Sequence, residues 1–143
     1  MTAAVGEIRG RVFHLPVRVY YEDTDAGGVV YYANYLKYLE RARTEWLRAA
    51  GWDQSSLEHD AGLLFAVRSL EVEYIAPARL DDWLDVEAQV VQVGRASVSF
   101  DQLVGRRGTE LCHARVRVAC LDATTFKPRA LPAALREVFV GAN

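Results

Sequence analysis

The chain has 143 residues, 51% of them hydrophobic and 25% charged, with a net charge of −2 and an isoelectric point near 5.9. That length suits one domain, residues 1–143, with a real core and little room for a second. The mild acidity excludes a global pull toward nucleic acid or an anionic membrane, and no apolar run approaches the length of a transmembrane segment.

Met1 to Gly10 lacks the basic start and apolar core of a signal peptide, so a cytoplasmic location is expected, with residues 1–12 loosely ordered. Phe13 to Tyr21 reads as a first strand. Glu22 to Gly28 reads as a loop, because acids and glycines disfavour strand and supply turn geometry. From about Val30 to Ala50, Tyr32, Tyr35, Leu36, Leu39, Trp46, Leu47 and Ala50 recur at three- and four-residue spacing, and Gly51 follows. This predicts one amphipathic helix of roughly 20 residues. Asp53 to His59 suits a short helical turn.

After Ala61 the pattern alternates. Leu64, Ala66, Leu70, Val72 and Tyr74 share one parity, and Pro77 ends or bends their strand. Leu84, Val86, Ala88 and Val90 form the next stripe, and Ala96, Val98 and Phe100 a third. Gly94 and Gly105-Arg106-Arg107-Gly108 punctuate hairpins. The last strand turns Cys112 to Cys120 inward and His113, Arg115 and Arg117 outward, and Pro132 to Val140 suits a short helix. The two cysteines stand about 26 Å apart along that strand, far beyond the roughly 7 Å a disulfide allows. Buried thiols are the expectation. A strand, a long helix and four strands in hairpin succession make a two-layer α+β domain.

The chemistry concentrates in Val17-Arg18-Val19-Tyr20-Tyr21-Glu22-Asp23-Thr24-Asp25-Ala26-Gly27-Gly28-Val29-Val30. An alternating segment runs into acids, a glycine pair and the start of the long helix. A carboxylate then stands beside a helix N-terminus, whose unpaired N–H groups and partial positive charge can grip a carbonyl oxygen or an oxyanion. A nucleophile or base beside an electrophilic clamp is the minimal equipment for acyl transfer. On the residues alone Asp25, like many acids before helices, reads first as a group that satisfies backbone N–H groups, with a catalytic carboxylate as the alternative. Asp23 reads as a holder of the loop and Glu22 as solvent-facing. Gly27 and Gly28 let a ligand approach the backbone closely. His14, His59 and His113 show no metal spacing and no Ser-His-Asp arrangement. Glu40 and Glu45 suit solvated ion pairs with Arg41, Arg43 and Arg48.

Arg18-Val19 through Asp25, Ala26-Gly27-Gly28-Val29-Val30, Asn34-Tyr35 and Glu40-Arg41-Ala42-Arg43 together resemble the hotdog-fold acyl-CoA thioesterases. The match continues through Val72-Glu73-Tyr74, Ala76-Pro77-Ala78-Arg79-Leu80-Asp81-Asp82 and Lys127-Pro128-Arg129-Ala130-Leu131-Pro132, so it spans nearly the whole chain. It is strongest to the branch associated with the Tol–Pal envelope system (the YbgC type), which is similar to the 4-hydroxybenzoyl-CoA thioesterases. The resemblance implies a hotdog fold: one long central helix wrapped by a curved antiparallel five-stranded sheet. It further implies a homo-oligomer, dimer or tetramer, in which two sheets join edge to edge and the active site lies where subunits meet.

By the same resemblance Asp25 attacks the thioester carbonyl or activates water, and the backbone N–H of Tyr32 polarises that carbonyl. Gly27, Gly28, Val30 and Tyr31 form the substrate loop. The Tol–Pal branch commonly carries histidine at the position of Tyr32, and the tyrosine here looks more like the hydroxybenzoyl branch. The CoA phosphates call for local cations, for which Arg79, Lys127 and Arg129 are candidates, followed by Arg106 and Arg107. The partners implied are an acyl-CoA substrate and proteins of envelope or lipid synthesis; no metal or other cofactor is required. Hydratase chemistry would need a histidine–carboxylate pairing that the sequence does not show. The alternative of another kind is a non-catalytic acyl-CoA or protein-binding hotdog module.

Overall fold

In the computed structural model, which describes residues 5–143, the alternating segments pair into one antiparallel sheet. Its strands are β1 (Glu7–Arg9), β2 (Val12–Arg18), β3 (Leu63–Tyr74), β4 (Trp83–Val93), β5 (Ser97–Arg106) and β6 (Thr109–Asp122), in the order β1-β2-β4-β5-β6-β3. Five strands were expected; the sixth is β1, which folds back on β2 with Glu7 opposite His14. The expectation for residues 1–4 lies outside the described residues.

Helix α1 (Asn34–Ala49) lies across the inner face and buries Tyr35, Tyr38, Leu39, Ala42, Trp46 and Leu47. Opposite it stand Val86, Ala88, Phe100 and Val104, all buried. Each large side chain so buried contributes about 1.5–3 kcal/mol relative to exposure. Helix α2 (Gln54–Ala61) starts on the Asp53 carboxylate, which accepts the Ser56 N–H at 2.8 Å. Helix α3 (Ala133–Ala142) closes the far end of the core, where Phe139 stacks on Trp46 with centroids 5.1 Å apart. This is the hotdog arrangement. No helix among the described residues is long and apolar enough to cross a membrane.

Three expectations are corrected. The first strand stops at Arg18, and Tyr21–Asp23 form a 3₁₀ turn instead of its last residues. The long helix begins at Asn34, not Val30, because Tyr31 to Asn34 form a separate tight turn. The third correction concerns parity in β3. A bulge between Val67 and Ser69 inserts one residue, and an inserted residue exchanges the two faces. Leu63, Phe65 and Val67 therefore share the inner face with Leu70, Val72 and Tyr74, while Leu64 and Ala66 turn outward. The hairpin between β5 and β6 closes on Arg107 and Gly108, both at positive φ, as a two-residue turn between twisted strands requires.

Both cysteines are buried, as expected, and burial pushes the Cys112 thiol up to about 11.

Candidate active site

The loop after β2 is held by its own carboxylates and carbonyls. Asp23 accepts the Tyr20 N–H at 2.8 Å through its side chain. Its carbonyl accepts the N–H of Tyr31 at 3.0 Å and the side-chain amide of Asn34 at 2.8 Å. Asp23 thus ties the loop to the first residue of α1. Glu22 is exposed.

Asp25 sits at the tip of this loop with an exposed side chain. Its Oδ1 accepts the Gly27 N–H at 2.8 Å, its carbonyl accepts the Gly28 N–H at 3.0 Å, and its own N–H donates to Val29 at 2.9 Å. Oδ2 has no hydrogen-bond partner among the described residues. The two glycines are required by this geometry. A Cβ at Gly27 would stand 3.2 Å from Asp25 Oδ1, and Gly28 adopts φ +78°. An isolated bridge between Thr24 and Val30 closes the base of the loop, bringing Asp25 back toward the turn that leads into α1.

That turn supplies the electrophilic side. The Asn34 N–H donates to the Tyr31 carbonyl at 2.8 Å, so Tyr32 and Ala33 occupy a single turn running into the helix. Among the described residues neither spends its N–H on a partner. Both are orphan donors of the kind every helix start presents, at the positive end of the helix dipole. Tyr32 is 61% exposed. The start of the helix is displaced from the expected position, yet the free donors stay with Tyr32.

A second loop, between β3 and β4, buttresses the first. The Val30 N–H donates to the Ala78 carbonyl at 2.8 Å, and Val29 bridges Arg79. The Ala78 N–H in turn donates to the hydroxyl of Tyr35 on α1 at 2.9 Å. The Tyr74 hydroxyl donates to the Tyr32 carbonyl at 3.0 Å, holding the peptide next to the free N–H. The rings of Tyr31, Tyr32, Tyr74 and Tyr35 follow one another at centroid distances of 4.8, 6.2 and 5.4 Å. Burial raises the hydroxyl pKa of Tyr35 and Tyr74, and burial, then the charge of Asp23, raises that of Tyr38. These hydroxyls stay protonated at neutral pH.

Not every predicted cation reaches this place. Arg79 does: its backbone bridges the glycine loop and its side chain has no partner among the described residues. Arg106 is committed to Asp82 at 2.6 Å. Burial works against ionisation there, yet the Arg79 N–H and the Arg106 guanidinium hold the Asp82 carboxyl below its usual range. Lys127 and Arg129 stand at the Leu63 end of β3, where Leu121 bridges Pro128. The Asp25 loop packs beyond the Tyr74 end, about 35 Å away along the strand. Arg129 is also occupied, since its guanidinium donates to the carbonyls of Ala61 and Gly62 at 2.9 and 3.2 Å.

Sequence reasoning missed the roles of Tyr74 and Tyr35, which read simply as apolar members of a stripe. Only their hydroxyls, on an otherwise buried or half-buried face, hinted at a polar duty.

The sequence pattern of the thioesterase superfamily matches residues 27–113. The chain is 47% identical over 127 residues to the acyl-CoA thioesterase YbgC of Haemophilus influenzae, covering 89% of this chain and 93% of that one. It is 49% identical over 122 residues to the acyl-CoA thioester hydrolase YbgC of Escherichia coli O6:H1, covering 85% and 90%. Among solved structures, a probable thioesterase from Bartonella henselae superposes with a TM-score of 0.82 at 34% identity, covering 85% of this chain and 99% of that one. The chain belongs to the thioesterase superfamily and is an enzyme, a hydrolase of thioesters.

Proposed function

We propose that this enzyme hydrolyses the thioester of an acyl-CoA to the free acid and CoA, with Asp25 as its catalytic carboxylate. The observation that carries the reading is the pairing of an exposed carboxylate, one oxygen of it unpartnered, with the unused N–H groups of Tyr32 and Ala33. The donors polarise the thioester carbonyl and stabilise the oxyanion that forms on it. Asp25 either attacks that carbon, giving an anhydride that water then cleaves, or takes the proton from the attacking water. In both routes the CoA thiolate leaves and a proton returns to it. Tyr74 is a positioning residue, acting through the Tyr32 carbonyl. The acyl-CoA thioesterase of H. influenzae and the acyl-CoA thioester hydrolase of E. coli, both similar to this chain, support the substrate class.

We further infer that the working form is a homo-oligomer built on the β3 edge. β3 is 12 residues long and ends the sheet with one side unpaired, an arrangement that invites pairing with another strand. On its inner face Val67, Leu70 and Tyr74 remain 51%, 39% and 45% exposed. A second copy, antiparallel to the first, continues the sheet and lays its own inner face alongside. That symmetry also brings the Leu63 end of one protomer to the Tyr74 end of its partner. Lys127, remote from Asp25 within one chain, then comes to the partner's Asp25 loop.

The test is Asp25→Asn, assayed for acyl-CoA hydrolysis and for CoA binding. Turnover should fall by at least about 100-fold with binding and circular dichroism unchanged. Asp23→Asn is the control and should be milder, provided the loop holds. Retention of most of the turnover in Asp25→Asn sinks the assignment, and absence of turnover in the unmodified enzyme over short, long and aromatic acyl-CoAs favours the binding-module alternative.

A further inference from the structure

The outer face of the sheet, away from α1, carries a donor set that hydrolysis does not use. His14 alternates with the buried Phe13 and Leu15 on β2, so its ring points outward. Directly opposite it on β4 is Glu87, and Asp85 lies two residues further along the same face. Asp85 holds the ring by Nδ1 at 2.9 and 3.1 Å from its two oxygens. The ligand atoms of His14, Asp85 and Glu87 all lie within 4.8 Å of one another, and all three side chains are half-buried. The Glu87 carboxylate accepts no hydrogen bond from any described residue. That carboxylate, partly exposed and without a donor among the described residues, keeps its lone pairs available to a cation beside the histidine.

We propose that His14, Asp85 and Glu87 form a binding site for a divalent transition-metal ion of the zinc type. One imidazole nitrogen and two carboxylate oxygens make a mixed donor set that suits zinc and its neighbours, whereas calcium and magnesium take oxygen donors alone. In a tetrahedron with metal–ligand bonds of about 2.0–2.2 Å the donors stand about 3.4 Å apart. The three side chains span that separation already, so small rotations admit the ion, and water takes the fourth position. Access is open, because His14 and Asp85 line a surface cavity of about 930 Å³ that also contains Glu7 and Arg9. Glu7 is opposite His14 on the other side, and its carboxylate occupies Arg9 at 3.2 Å. The ion ties β2 to β4 by ligands rather than by the ladder alone. The donors are 71 and 73 residues from His14 in the chain and meet only through the β2–β4 register, so no sequence spacing announces them.

The experiment is a calorimetric titration of the chelator-stripped, dialysed protein with zinc chloride alone. It should give one ion per protomer at micromolar affinity and a rise in the melting temperature. His14→Gln and the near-isosteric Glu87→Gln should each weaken binding by more than about tenfold and remove the melting shift. His113→Gln should leave both intact; it tests the rival outer-face histidine, which sits 2.8 Å from Asp101. Thioester hydrolysis should persist in Glu87→Gln, showing that the fold survives. No binding at millimolar zinc, unchanged binding in both His14→Gln and Glu87→Gln, or loss of binding in His113→Gln each overturns the proposal.

Discussion

At the residue scale the enzyme depends on the main chain as much as on side chains. The amide proposed to face the substrate belongs to Tyr32, whose carbonyl is held by Tyr74. Tyr32→Phe should therefore keep turnover within about tenfold, a barrier change near 1.4 kcal/mol or less. Tyr32→Pro deletes the N–H and should cost about 100- to 1,000-fold, the typical loss of one oxyanion donor. Proline fits here, because Tyr32 is the second residue of a tight turn closed from Tyr31 to Asn34. Circular dichroism checks that fit before the rates are compared. Equal losses in Tyr32→Phe and Asp25→Asn would place the phenol hydroxyl in the chemistry and end the backbone-clamp account. Asp25, Gly27 and Gly28 meet in one loop because they are neighbours in the chain and short-range geometry decides how they pack, whereas Tyr32 was singled out by the family resemblance. Tyr74 was not legible in the sequence, since its bond to Tyr32 spans 42 residues and depends on β3 reaching the helix start.

At the element scale the apolar periods gave the elements but not their interruptions. A stripe from Leu64 to Tyr74 reads as one face; the bulge at Arg68 splits it, and nothing in the local sequence marks the extra residue. The same strand carries the consequence. Downstream of the bulge Leu70 returns to the inner face and stays 39% exposed. Leu70→Asp places a charge where the second copy is proposed to pack. Such a change should convert the oligomer to monomers at micromolar concentration, as read by light scattering, and lower turnover in parallel. The isolated chain should keep its melting transition, because Leu70 lies outside the buried core. A Leu70→Asp protein that remains oligomeric and fully active removes β3 from the interface. Inside the core the most deeply buried polar side chain among the described residues is Gln102. It is 1% exposed and joins Arg43 of α1 at 2.8 Å and the Leu39 carbonyl at 3.0 Å. Burial lowers the Arg43 pKa, and the bond to Gln102 compensates a guanidinium that solvated ion pairing was expected to satisfy.

At the scale of the whole molecule, a single chain separates the cations predicted to bind CoA. Arg79 lies against the Asp25 loop, while Lys127 is at the opposite end of β3. An antiparallel pairing of two β3 strands resolves this by making each site from two protomers. Lys127→Ala should then raise KM for acyl-CoA about tenfold, the loss of one charge-assisted phosphate contact. Asp25→Asn should abolish kcat. Co-expression of the two variants provides the decisive comparison, because a mixed dimer holds one site with both residues intact and one with neither. With random assembly, half the dimers are mixed and each keeps one of two sites, giving about a quarter of the wild-type rate at substrate well below KM. If Asp25 and Lys127 instead serve one site within the same chain, no assembly restores it. The mixture then shows only the residual Lys127→Ala activity diluted by half, about a twentieth of wild type, given the tenfold KM effect. The fivefold gap between those outcomes separates a shared site from a self-contained one.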